Sequence, residues 1–343
     1  MYSFEFLECD DVNQYDFEEE RVKQEILKVK AKRVLIQLPE GLKPEALRLA
    51  KIVENFALPI VSADPCYGAC DLATAEAESL GADLIIHYGH SKLLGYERVP
   101  TIYIEARAAL NVDDAVDEAL LMIKNWKKIG LTTTIQHVQV LDDVRETLLR
   151  AGKIVVIGDA GRLGHAGQVI GCDYSNAKSI AKDVEAFLFV GGGRFHALGV
   201  ALSTSKPTVV ADPYEKRAYS VDKEAQKVIK QRWASIEEAS KAKIFAVFVG
   251  LKPGQKRLEE ALTIKRKLEK VGKTACIFVA REITPEVLME FPSVEAYVNT
   301  ACPRISLDDA SRFQKPMLTS NEALVVAGEL SWEELCRKGL FEN

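Results

Sequence analysis

Short apolar runs alternate along this chain with longer stretches whose apolar positions recur every three or four residues. The short runs read as strands, and the longer stretches carry the stripe of an amphipathic helix. RVLIQLP (33–39) is followed by PEALRLAKIVENF (44–56), then by LPIVSA (58–63), DLIIHYG (83–89) and VPTIYIEA (99–106). A second series runs through LTTTIQHV (131–138), VLDDVRETLLRAG (140–152), KIVVIGDA (153–160), EAFLFVGGG (185–193) and KPTVVADP (206–213). The third comprises KIFAVFVG (243–250), GQKRLEEALTIKRKLEKVG (254–272), KTACIFVA (273–280), VEAYVNTAC (294–302) and KPMLTSNE (315–322). This is the βαβ rhythm of mainly parallel sheets covered by helices.

A proline opens the last strand of each series: Pro100, Pro207 and Pro316. Proline is tolerated there because its missing N–H removes no ladder bond. The spacing of about a hundred residues is that of a domain. The pattern therefore predicts an α/β protein of three similar domains, 1–110, 111–218 and 219–343, each a small, mainly parallel four-stranded sheet flanked by helices. One large sheet with coincidental spacing is the alternative. Helical stretches at 113–126 and 222–241 lead into the second and third domains. The second of these is expected to be a solvated connector with its Lys, Glu, Gln and Arg side chains outward.

Apolar residues make up 48% of the 343 residues and charged residues 28%, with a net charge of −5. A direct nucleic-acid binder working by bulk charge would show a basic surplus, so that class is not expected. The acidic N-terminal stretch lacks signal-peptide features, and no apolar run has the length of a membrane span. A cytoplasmic protein without a membrane partner is expected. In that setting the seven cysteines, an odd number, are thiols or metal ligands rather than a disulfide framework.

Ligand sites of open α/β sheets lie beyond the carboxyl ends of the strands. Cysteines stand there in each series. DPCYGAC (64–70) brings Cys66 and Cys70 after the second strand of the first, with Gly68 expected to let the loop turn inward. Cys172 follows the second strand of the second series, and Cys302 the third strand of the third. Three thiolates, one per domain, suit an iron–sulfur cluster with one open iron. None of these cysteines has the close Cys-x2-Cys pairing common in structural zinc sites. Cys276, inside an apolar strand, is expected to be a buried hydrophobe. Cys9 and Cys336 are not expected to be ligands. His87 and His90 stand three apart in HYGHS, where strand geometry would turn them to opposite faces; His87 is expected in the core and His90 in the loop. VGGGRFHALG (190–199) offers Gly191, Gly192 and Gly193 for close backbone approach to an anionic group, without the dinucleotide fingerprint.

YGAC (67–70), GC (171–172) and NTACPR (299–304), with HYGHS and VGGGRFH between them, resemble the family of enzymes that perform the first step of diphthamide synthesis, in particular its archaeal homodimeric form. The resemblance runs over nearly the whole chain. It implies one [4Fe-4S] cluster per chain, held by Cys70, Cys172 and Cys302, with S-adenosyl-L-methionine as cosubstrate. It implies cleavage of the sulfur–Cγ bond, transfer of the 3-amino-3-carboxypropyl group to carbon 2 of a histidine in translation elongation factor 2, and release of methylthioadenosine. A homodimer and an external electron donor are implied as partners. Gly191, Gly192, Gly193, Arg194 and Arg304 are the candidates for gripping the cosubstrate, and His90 or His196 for accepting the imidazole proton. Cys66 is expected to be a neighbour in the loop and not a ligand. The Cys-x3-Cys-x2-Cys triplet of ordinary radical enzymes is absent, since Ala73 stands where its third cysteine would be. Two rival readings are a quinolinate-synthase-like cluster dehydratase and a non-enzymatic α/β binding protein.

Overall fold

The computed structural model describes residues 14–308 and 310–341; Cys9 lies outside them. Three main sheets follow one another along the chain, in addition to a two-stranded antiparallel pair of Tyr15–Asp16 and Arg107–Ala108. The first orders its strands Leu58–Val61, Arg33–Gln37, Leu84–Tyr88 and Thr101–Ile104, all parallel. The third orders Thr274–Ala280, Ile244–Gly250, Ala296–Asn299 and Met317–Thr319 in the same way. The second repeats the arrangement with Ile154–Val156, Lys128–Thr133, Ala186–Val190 and Thr208–Asp212. It departs from the expected four strands by adding Arg217–Ser220 as an antiparallel edge.

The prolines do the same job three times. Each sits one residue before the fourth strand, and its carbonyl accepts a hydrogen bond from the second residue of the third: Ile85, Phe187 and Tyr297. A second repeated device was not anticipated. The residue just before each third strand is acidic, and its carboxylate caps backbone N–H groups where the first strand begins. Asp83 takes those of Lys32 and Arg33, Glu185 those of Lys127 and Lys128, and Glu295 those of Lys243 and Ile244. These backbone donors hold all three carboxyls below the usual carboxylate range.

The expected run 131–138 resolves differently from its pattern. The strand begins at Lys128, and Ile135–Val140 is a 3-10 turn. Such a turn follows the first strand of every sheet, the others being Glu40–Glu45 and Pro253–Gln255. Cys276 is exposed, against expectation, because Thr274–Ala280 is the outermost strand of its sheet and no element covers that side chain.

Core packing is unequal. Phe187 and Phe189 of the second sheet belong to the same apolar cluster as Phe245 and Val247 of the third. The first sheet has clusters of its own, Val34, Ile36 and Ile86 on one face and Leu35 and Ile85 on the other. The helix Asp222–Lys241 runs through the shared core and is more than a solvated connector. Its Arg232 is fully buried and makes a two-pronged ion pair with Glu322, Nε to Oε1 at 2.7 Å and Nη2 to Oε2 at 2.6 Å. The remaining donors reach the carbonyls of Ser306 and Met317 at 2.7 and 2.8 Å. Glu322 in turn caps its own helix with Thr319. Helical spacing cannot distinguish this arginine from its solvated neighbours, because the partner that permits its burial lies 90 residues away.

Two outcomes follow. Arg232→Ala strands the Glu322 carboxylate in the core and should lower unfolding stability by about 3–5 kcal/mol in chemical denaturation. The three strand-end carboxylates have folded pKa values below their unfolded ones. Their stabilisation is therefore present above the ordinary carboxylate range and is lost as pH falls through the lower, folded values. The triple variant Asp83→Asn, Glu185→Gln, Glu295→Gln should show a lower melting temperature than the parent at neutral pH and a smaller decline on acidification, measured by thermal melts across pH.

Candidate functional site

A cavity of about 840 Å³ lies among the three sheets and is lined by Cys70, Cys172 and Cys302 together. Each cysteine is set by local structure. The Cys70 loop is pinned by Gln37, whose amide donates to the Asp71 carbonyl at 2.7 Å and accepts from the Ala73 N–H at 3.1 Å. Cys172 sits in a tight turn in which Ile170 and Asp173 exchange backbone hydrogen bonds of 3.2 and 3.1 Å. A side chain at Gly171 would press on the Phe195 ring at 3.0 Å. Cys302 precedes the short helix Pro303–Leu307, and Asn299 holds its turn by accepting from the N–H groups of Ala301 and Cys302. The glycine expected to shape the Cys70 loop is not the one that matters. A side chain at Gly68 would make ordinary contact, whereas one at Gly254 would come within 2.6 Å of Cys70 Cβ. Gly254 also donates its N–H to the Cys70 carbonyl at 2.8 Å.

The three thiols feel one another. Burial, then Cys70 and Cys302, push the Cys172 thiol up to about 12. Burial raises Cys302, with Cys70 contributing and the N–H groups of Arg304 and Ile305 opposing. Burial also raises Cys70, opposed by a hydrogen bond from Gln255. Thiols so disfavoured as anions are the ones a cationic iron centre would stabilise as thiolates. Their sulfurs do not all lie within 4.8 Å of one another. A single ion with metal–sulfur bonds of about 2.3 Å would need them closer, whereas the cavity they share leaves room between them for a larger, polynuclear centre.

A different trio is tighter: the ligand atoms of Cys66, His87 and His90 lie within 4.8 Å of one another. The two histidines do not face opposite ways. The strand ends at Tyr88, and Gly89, at φ 81°, turns the chain so that His90 Nδ1 comes 3.0 Å from His87 Nε2. Gln37 Oε1 lies 2.9 Å from His87 Nδ1, and that amide's orientation is fixed by its two backbone bonds. His87 Nδ1 therefore donates, its Nε2 accepts from His90 Nδ1, and His90 Nε2 carries a lone pair. Burial keeps the His87 ring well below its ordinary pKa and lowers His90 to about 4. Cys66 is buried, and its thiol is pushed up to about 12 by burial, then by Asp71.

Of the other candidates, Gly192, His90, His196 and Arg304 line the cavity. His196 packs against Phe189 and Phe195, and burial, then the Arg304 charge, lower it to about 3. Arg304 is buried, its guanidinium carbon lies 3.4 Å from the centroid of the Phe195 ring, and it pairs with Asp308; its Nη1 has no hydrogen-bond partner among the described residues. Arg194 is turned away, to Glu224 and the Tyr219 ring, and Gly191 and Gly193 do not line the cavity. Gly193 instead ties its N–H to Asp212.

Sequence reasoning missed His137, buried at the cavity with an Nδ1 that has no partner among the described residues, and the segment Lys252–Gln255. Lys252 is buried between Asp71 at 3.0 Å and Glu282 at 2.8 Å, with its ammonium 4.1 Å from the Tyr67 ring centroid. Both features stand at first-strand ends, and that position was the available signal.

Residues 38–336 match the family described as "Putative diphthamide synthesis protein". The 2-(3-amino-3-carboxypropyl)histidine synthase of Pyrococcus horikoshii is 41% identical over 317 residues, 92% of this chain and 91% of that one. Subunit 1 of the human 2-(3-amino-3-carboxypropyl)histidine synthase is 31% identical over 93% of this chain and 74% of its own length. The crystal structure of Dph2 from P. horikoshii with a 4Fe-4S cluster superposes with a TM-score of 0.85 at 40% identity, covering 92% of both chains. With its family match, its identities and its fold in agreement, this chain belongs to the diphthamide synthesis protein family.

Proposed function

We propose that this chain is a 2-(3-amino-3-carboxypropyl)histidine synthase. It transfers the 3-amino-3-carboxypropyl group of S-adenosyl-L-methionine to carbon 2 of a histidine imidazole in translation elongation factor 2, the first step of diphthamide synthesis. The observation that carries the reading is the meeting of Cys70, Cys172 and Cys302 in one cavity from the strand ends of three sheets. The cosubstrate and protein substrate follow from the family and its named relatives. Neither the dehydratase nor the non-enzymatic reading is favoured by those relatives.

The domains 1–110, 111–218 and 219–343 each contribute one thiolate to a [4Fe-4S] cluster. A [4Fe-4S] cluster held by these thiolates would lend one electron to break the sulfur–Cγ bond and free methylthioadenosine, and would regain it as the alkylated imidazole loses its carbon-2 proton, so that the transfer is redox-neutral overall. The surrounding residues decide which carbon–sulfur bond lies within reach. Arg304, buried with a spare Nη1 donor, takes the cosubstrate carboxylate, since a buried guanidinium nitrogen without a partner is costly until an anion meets it. Gly192 lines the same cavity against Tyr214, where an added side-chain carbon would come within 2.6 Å of the ring. Arg194, paired to Glu224 outside the cavity, is not given this part. His90 receives the imidazole proton at Nε2, its tautomer fixed by His87 and Gln37. His196, wedged among aromatic rings, shapes the wall.

The finer partners belong to the same proposal. An external donor supplies single electrons. The uncharged, exposed edge strand Thr274–Ala280 supports a homodimer, since an open apolar edge invites pairing. No helix among the described residues is long and apolar enough to cross a membrane.

Anaerobic reconstitution with iron and sulfide should give a brown protein with about four irons per chain. With reductant, S-adenosyl-L-methionine and elongation factor 2, it should form methylthioadenosine and add one 3-amino-3-carboxypropyl group to a histidine, read by mass spectrometry. Cys70→Ser, Cys172→Ala and Cys302→Ala should each lose colour and turnover, and Cys66→Ser should keep the cluster. A preparation that stays colourless after reconstitution would sink the reading. Arg304→Met should retain iron and raise the KM for S-adenosyl-L-methionine at least about tenfold, the loss expected for one charge-assisted hydrogen bond.

A further inference from the structure

The turn Pro253–Gln255 grips the Cys70 loop from the third sheet. Gly254 donates its N–H to the Cys70 carbonyl at 2.8 Å, and the absence of a side chain there lets the two backbones touch. Lys252, 4% exposed, pins Asp71, the residue next to Cys70. Between these anchors Gln255, also buried, directs its amide at the sulfur itself, with Nε2 3.5 Å from Cys70 Sγ. Its backbone is fixed by a 2.9 Å hydrogen bond to the Lys252 carbonyl. Its Cβ faces Gly250, where an added side-chain carbon would come within 3.0 Å. Donor and acceptor are thus held by segments that cannot move independently.

We propose that Gln255 is a tuning residue for electron entry: its N–H hydrogen bond to the Cys70 sulfur raises the reduction potential of the cluster held there. This rests on the reading of Cys70 as a cluster ligand. An added electron spreads onto the thiolate sulfurs, and a donor already aimed at one of them stabilises the reduced form more than the oxidised form. The amide does this without a charge, so it does not upset the ion pairs of Lys252. The hydrogen bond also crosses between the first and third sheets, so the potential is coupled to how closely those two parts are apposed. Cys302, by contrast, receives backbone N–H groups from Arg304 and Ile305, which no side-chain change deletes.

Gln255→Leu removes the donor while keeping an apolar side chain of similar size. In the reconstituted protein, iron content should be unchanged, and a redox titration followed by electron paramagnetic resonance should move to more negative potential. The expected change is about tenfold in the reduced-to-oxidised ratio at fixed potential, or about 59 mV for one electron. A loaded variant with an unchanged midpoint overturns this proposal and leaves the functional reading standing. A wild-type protein that takes no cluster overturns both. If Gln255→Leu fails to assemble, the wild-type protein decides. With side-chain 15N glutamine, pulsed resonance of the reduced cluster should show coupling to an amide nitrogen and its exchangeable proton, and their absence overturns the proposal.

Discussion

The central constraint on this molecule is that the strand ends of three sheets converge on one cavity, to which each contributes a cysteine. Parallel strands make that possible, because each sheet gathers its functional loops at its carboxyl edge. The sheets are not joined evenly. The second and third share a continuous apolar core, threaded by a helix whose one buried arginine is matched to a glutamate. The first is attached through polar contacts: Lys252 to Asp71, Gly254 to the Cys70 carbonyl, and Gln136 to the carbonyl of Gly89. Two corners of the site thus share an apolar core, and the first meets them through directional bonds that also include Ser91 with Gln168, Glu105 with His165 and Glu76 with Arg281.

The first corner therefore carries much of the site's chemistry. Gln37 fixes the Cys70 loop and, with the same oxygen, the tautomer of His87. His87 then contacts His90, so the geometry of a cysteine loop and of a histidine pair trace back to one buried amide. That amide lies near the end of the first strand of its sheet, the position from which Lys252 and Gln255 act in the third.

Much of the fold was legible in the sequence, for identifiable reasons. Twelve apolar runs mark the strands of three sheets because buried parallel strands must be apolar on both faces. The prolines mark register because they hold one position three times over. The fifth strand, Arg217–Ser220, escaped because an edge strand need not be apolar, and its pattern is partly exposed. Cys276 was misread for the complementary reason: an apolar edge strand looks like a central one until its neighbours are known. Arg232 and the His87–His90 contact were hidden for another reason. A distant glutamate decides the first, and a single left-handed glycine the second. In the candidate site, the cysteines could be found as isolated thiols at strand ends. Gln255, Lys252 and His137 had only their strand-end position to mark them, since glutamine, lysine and histidine are common in surface turns.

The acidic cap and the proline occur at equivalent places in all three sheets, as expected of three copies of one ancestral unit. The cysteines do not follow that rule: Cys70 and Cys172 come after second strands, and Cys302 after a third. The repetition of the scaffold therefore does not extend to the thiols: the same cavity is reached from two different loop positions, so a cysteine's place in one sheet does not predict its place in the next.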